Sequence, residues 1–150
     1  MRILSLVALA ALTLLLFIRL APSDPLRWHR PVEAMPPGEA AEDGGHRAAR
    51  RLAAPEEEVL EAARRAMLEM PRTTQLAGDV AEGRMTFVTR SALMGFPDYT
   101  TIEVRDGLFL VHARLRFGRS DLGVNRARVR ALLAALGPLT QDPQTGTADA

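Results

Sequence analysis

Ile3 to Ile18 is an apolar run broken only by Ser5 and Thr13. Both hydroxyls can bond back to a helix carbonyl, so neither is foreign to lipid. At a rise of about 1.5 Å per residue the run reaches about 24 Å, short of a hydrocarbon core of about 30 Å. Extension through Ala21 nearly closes the gap, with the Arg19 guanidinium reaching to the headgroups. Pro22 then stops the helix. A cleaved signal would need small residues at −3 and −1; a cut after Ala21 puts Arg19 at −3 and Pro22 at +1. The pattern therefore predicts an uncleaved transmembrane anchor over residues 3–21.

Periodicity then lapses. Residues 22–54 carry Pro22, Pro25, Pro31, Pro36, Pro37, Gly38, Gly44 and Gly45 and read as a Pro/Gly-rich linker. Within it Trp28-His29-Arg30 has two readings. Trp28 is an interfacial aromatic beside the headgroups, or it docks on the domain and sets its distance from the bilayer. Arg47, Arg50 and Arg51 are either a solvated cluster or a contact to anionic lipid.

Regular pattern resumes at Pro55. Pro at the first helical position and Glu56-Glu57-Glu58 in the first turn predict a helix to about Met70. Its stripe is Val59, Ala63, Met67 and Met70. Thr73–Val80 and Arg84–Ser91 read as strands about Glu82-Gly83, and Tyr99–Arg105 and Leu108–Phe117 as strands about Asp106-Gly107. Asp-Gly between alternating strands is a strong hairpin signal and fixes a register. Ile102, Val104, Phe109, Val111, Ala113 and Leu115 fall on a core face. Tyr99, Thr101, Glu103, Leu110, His112, Arg114 and Arg116 fall on the other, with Tyr99 opposite Arg114 and Thr101 opposite His112. A last helix runs from about Leu122 to Leu136, with Ser120 or Asp121 as its cap. The expected fold is α+β: about four antiparallel strands with two helices on one face, in the order α-β-β-β-β-α, over residues 55–137. Residues 138–150 read as a disordered tail.

Composition narrows the function. The formal net charge is +1, so no nucleic-acid partner is expected. The chain has no Cys, which removes disulfides, thiolate metal sites and a Cys nucleophile. All 19 basic residues are Arg, a codon-bias signature or a preference for planar, bidentate anion contacts. A literal positive-inside count, with Arg19, Arg27 and Arg30 after the helix against Arg2 and the amino terminus before it, would keep the domain in the cytoplasm. Against that count, the short N-tail before an apolar core has the shape of an export signal, so the domain is expected outside the cytoplasm.

The stretches RSALMGFPDY (Arg90–Tyr99), RLRFGRSDLGVNRARV (Arg114–Val129) and RLAPSDPLRWH (Arg19–His29) closely resemble the bacterial domain-of-unknown-function 1499 family. The resemblance covers most of residues 19–136 and implies a small membrane-associated envelope protein; with the single anchor, the inner membrane is the expected location. It carries over no catalytic residues. Members often begin the domain with cysteines, which this chain lacks.

His112 is the only His of the expected domain and has Arg neighbours, which oppose a bound cation, so no metal or cofactor is expected. A hydrolase or transferase could use His112 with Asp98 or Asp121, though no nucleophile motif accompanies them. Gly118 to Gly123 is a strand-to-helix turn capped by Asp121 or a phosphate-cradling turn, with Ser120, Asn125 and Arg126 nearby. From Arg72 to Arg130 there are ten Arg against six acids. Were helices to cover only the other face, Arg90, Tyr99, His112, Arg114 and Arg116 would form an open basic face. Such a face would bind an anionic lipid, a small anion or an envelope protein. A non-catalytic binding module is therefore the leading expectation. The alternatives are the His112 enzyme and a structural or assembly factor using the open sheet face.

Overall fold

The computed structural model describes residues 2–143. The chain opens with helix α1 (Arg2–Leu20) and the short helix α2 (Pro25–Trp28). Strands β1 (Gly38–Glu42) and β2 (Gly45–Leu52) follow, then helix α3 (Glu56–Glu69). Four more strands are β3 (Thr73–Asp79), β4 (Arg84–Arg90), β5 (Pro97–Arg105) and β6 (Leu108–Leu115). Helix α4 (Val124–Leu136), a 3-10 turn (Gly137–Leu139) and the two-residue strand β7 (Thr140–Gln141) end the described chain.

The fold is α+β with one antiparallel sheet, as expected, but the sheet has seven strands rather than about four. Its order is β1-β2-β6-β5-β4-β3, with β7 also on β2. The expected linker over 22–54 is therefore corrected. Its second half is the β1–β2 hairpin, turned at Asp43-Gly44 with Gly44 at φ 67°. β2 is buried on both faces, so its small and polar residues show no alternation of apolar with polar. The expected tail is corrected at its start: Thr140 and Gln141 pair with Leu52 and Arg51. Residues 144–150 of that expectation lie outside the described residues.

The Asp106-Gly107 turn holds as read. Both residues are left-handed, φ 53° and 72°, which a tight two-residue hairpin turn demands. Tyr99 accordingly pairs with Arg114 and Thr101 with His112. On one face α3 and α4 bury Val59, Leu60, Ala63, Met67, Val129, Leu132 and Leu136 against Met85, Phe87, Ile102, Phe109, Val111 and Ala113.

The other face is not open. Residues 21–35 run across it as a strap. Trp28 packs with Val88 and Tyr99, and Val32 with Ala49 and Leu110. Tyr99 is 0% exposed.

α1 projects away. From Ile3 to Leu14 every side chain is exposed, and Ile3–Leu20 is long and apolar enough to cross a membrane.

Gly78 follows the bulge of β3 between Gln75 and Ala77 and pairs with Met85. Its φ is 79°, and a Cβ there would lie 2.0 Å from the Arg84 carbonyl oxygen. Left-handed strain in a non-Gly residue costs roughly 1–3 kcal/mol before any clash. Gly78→Ala is expected to lower stability by at least about 2 kcal/mol in urea unfolding of the full chain in detergent. A change under about 0.5 kcal/mol would refute this account.

Candidate functional site

Of the residues expected to form an open basic face, Tyr99, Arg114 and Arg116 lie together and hold the strap, His112 sits beside Arg114, and Arg90 lies apart. Pro22, Pro25 and Pro31 prevent it from pairing as a strand. Its buried backbone groups still need partners, and side chains of β5 and β6 supply them. The Glu103 carboxylate accepts from Val32 N–H at 2.7 Å, while Arg105 Nη2 donates to Val32 C=O at 2.7 Å. Arg105 Nη1 donates to Glu103 at 3.0 Å, which closes the clamp. Arg114 Nη2 donates to the Trp28 carbonyl at 2.5 Å, and its guanidinium lies 5.5 Å from the Trp28 ring centre. Arg116 Nη1 donates to the Pro22 carbonyl at 2.8 Å and to the Tyr99 hydroxyl at 3.1 Å. The Trp28 and Tyr99 rings stack 3.8 Å apart at an angle of 8°. His29 reaches Thr86 Oγ1 at 2.9 Å and the Glu82 carboxylate at 2.7 Å.

The expectation of an open basic face is therefore corrected. Arg114, Arg116 and Tyr99 face a segment of their own chain. Of the two readings of Trp28, docking on the domain is the one realised.

His112 lies between Arg114 and Glu42. Arg114 Nη1 meets Nδ1 at 3.1 Å, and Nε2 meets Glu42 Oε2 at 3.1 Å. A neutral ring with its proton on Nε2 satisfies both contacts. Burial, then the charges of Arg114 and Arg47, hold its pKa below the ordinary value of 6.5 against the pull of Glu42. The His112 pairs expected for an enzyme do not assemble. Asp98 alternates onto the helix-covered face, where it meets Arg128 at 3.4 Å. Burial raises the Asp98 pKa despite Arg128.

Asp121 serves the start of α4. It accepts from Gly123 N–H at 3.0 Å and from Asn125 N–H at 2.6 Å. Burial opposes the charge there, but these N–H groups hold the carboxyl below its usual range. Asp121 thus serves the first N–H groups of α4, but the N-cap position itself is Gly123, at φ 83°, and the helix starts at Val124 rather than about Leu122. Asn125 is buried; it donates to the Gly44 carbonyl at 3.4 Å and accepts from Arg128 Nη1 at 2.5 Å. Ser120 accepts from Leu122 N–H at 3.4 Å, and Arg126 is exposed. Among the described residues no three His or carboxylate side chains gather as a metal set.

Arg90 lies apart from the sheet-face residues. It donates to the Gly95 carbonyl at 3.1 Å and lines a cleft of about 270 Å³ with Arg19, Arg72, Thr74, Ser91, Ala92 and Gly95. Sequence reasoning passed over Arg72, Glu103 and Arg105 as site residues. For the last two the signal was available, since an Asp-Gly register puts Glu103 on the strap face and Arg105 beside it. A larger groove of about 650 Å³ lies by α4 and β7. Its Arg50 and Arg130 are answered by Glu39 at 2.9 and 3.2 Å.

Because the folded His112 pKa lies below the unfolded one, the unfolded chain takes up its proton first as pH falls. Its contribution to stability is whole above about pH 6.5 and is lost as pH drops below that value. His112→Gln is expected to flatten the decline in Tm between about pH 7 and pH 5.5. An unchanged slope would show that the ring titrates as freely in the folded protein as in the unfolded chain.

A family model described as a protein of unknown function (DUF1499) matches residues 22–136. No curated protein matches the chain. The match begins at Pro22, so it takes in the strap and the β1–β2 hairpin together with the rest of the sheet. On that match, from the strap through the end of α4, the chain belongs to the DUF1499 family of proteins of unknown function.

Proposed function

We propose that the protein is a non-catalytic module of the bacterial envelope, held against the inner membrane by α1, whose domain binds an anionic partner beside the bilayer. The observation that carries this reading is the strap. The anchor ends at Leu20, and Ala21, Trp28 and Val32 are already buried on the domain. A module built to roam on a tether would leave that segment solvated. Here it is locked by a ring stack and by hydrogen bonds to the Pro22, Trp28 and Val32 carbonyls. The separation of His112 from Asp98 and Asp121 supports a binding role over hydrolysis. The domain lies on the periplasmic side, in keeping with the export-like shape of the N-terminal segment.

Two measurements test this. Trp28→Ala removes the strap's largest buried side chain and is expected to cost about 3–5 kcal/mol in unfolding of the full chain. A cost under about 0.5 kcal/mol is what a loosely attached tether would give, and the reading would fail. A C-terminal fusion to a reporter that works only outside the cytoplasm is expected to be active. Activity of a cytoplasm-only reporter instead would reverse the orientation.

A further inference from the structure

The end of the sheet where α1 joins gathers features that strap docking does not use. It comprises the start of β3, the β4–β5 loop (91–96), the loop between β6 and α4 (116–123) and the β1–β2 turn, whose exposed Asp43 meets Arg119 at 3.9 Å. Arg19, Arg72 and Arg90 converge there on the cleft of about 270 Å³, and no carboxylate lines it. None of the three guanidinium groups has an ion pair among the described residues, unlike Arg47, Arg50, Arg84, Arg105 and Arg128. Arg72 spends only Nε, on the Arg90 carbonyl at 3.0 Å, and Arg90 spends Nη1 on Gly95. Gly95, at φ 71°, lies against the Arg19 chain, and a Cβ there would sit in ordinary contact with Arg19 Cγ at 3.4 Å. The free N–H forks point to a tetrahedral oxyanion, which guanidinium groups bind bidentately.

Two leucines identify the source of that oxyanion. Leu93 is 87% exposed and Leu122 is 95% exposed, each on one of the two loops at this end. Leu122 is presented on left-handed backbone, φ 53°, a conformation that costs energy for such a residue. Exposed leucines on two loops of this end, with the unpaired arginines by the β4–β5 loop at the end of an apolar helix, match the layering of a lipid surface. Acyl chains meet the leucines and headgroup phosphates meet the arginines. We infer that this end of the domain is seated on the bilayer, with an anionic phospholipid headgroup phosphate held by Arg19, Arg72 and Arg90. The inference rests on the proposed membrane-held binding role and gives its anionic partner a chemical class.

The chain lacks Cys and has one Trp, so both labelling and intrinsic fluorescence are site-specific. The full chain with Ser120→Cys, or with Ala81→Cys in the β3–β4 turn at the far end, is labelled and placed in phosphatidylcholine vesicles. The vesicles lack or contain phosphatidylglycerol and carry headgroup-level quenching lipids. Quenching at 120 is expected to exceed that at 81 by at least about twofold. It is also expected to rise with phosphatidylglycerol, and to lose that rise in Arg72→Gln with Arg90→Gln and fall in Leu93→Ser with Leu122→Ser. Trp28 emission should stay that of a buried indole throughout. Equal quenching at 120 and 81 with buried Trp28 emission overturns the seating and leaves the strap reading standing. Quenching indifferent to phosphatidylglycerol overturns the phosphate site. Inorganic phosphate giving the same arginine-dependent response in phosphatidylcholine alone reassigns the cleft to a soluble anion. Solvent-exposed Trp28 emission in the unsubstituted protein overturns the strap reading and this inference with it.

Discussion

A buried backbone carbonyl needs a donor, and a proline-rich segment lying across a sheet cannot obtain one from a neighbouring strand. The strap meets that requirement with guanidinium groups. Arg105 on β5, Arg114 on β6 and Arg116 just past the end of β6 stand in for a missing ladder, each reaching a strap carbonyl. Everything on that face follows. Trp28 can lie flat on Tyr99 because the chain beside it is held, and Glu103 can be buried because Val32 N–H and Arg105 answer its charge. Lysine, with a compact ammonium and no planar fork, would make these contacts less well. That gives the all-arginine composition a structural use at these positions, whatever set it elsewhere.

The same requirement separates structural arginines from available ones. Those on the sheet face are spent on the strap, and Arg128 is spent on Asn125 and Asp98. Those by the anchor keep free N–H groups. Counting charges along the chain cannot make this distinction, because it depends on which carbonyls and carboxylates the fold brings near.

Much of the domain was legible because its signals are local. Asp106-Gly107 fixed the β5–β6 register, and with it the faces of Tyr99, His112 and Arg114. The α3 and α4 stripes gave the helical layer. The β1–β2 hairpin was hidden because β2 is buried on both faces while carrying Ala48, Ala49 and three arginines. Burial there comes from ion pairs and small side chains, which leave no period-two apolar trace. Asp43-Gly44, a turn dipeptide of the same kind as Asp106-Gly107, was the available clue. The covering of the second face was beyond periodicity altogether. A strap without regular structure announces itself only through single residues such as Trp28. The candidate site changed character for that reason: Tyr99, Arg114 and Arg116 share a face, but what they hold is the chain itself.

The short path from Leu20 to Val32 also sets how far the domain can search. A free chain of that length would let it wander about 20 Å from its exit point. With the segment laid down on the sheet, that freedom shrinks to the tilt and rotation of the anchor. With α1 spanning a bilayer, as proposed, the domain would meet partners by lateral diffusion in two dimensions, at one height. A partner of the domain held in the proposed way would itself lie at the bilayer surface or reach down to it.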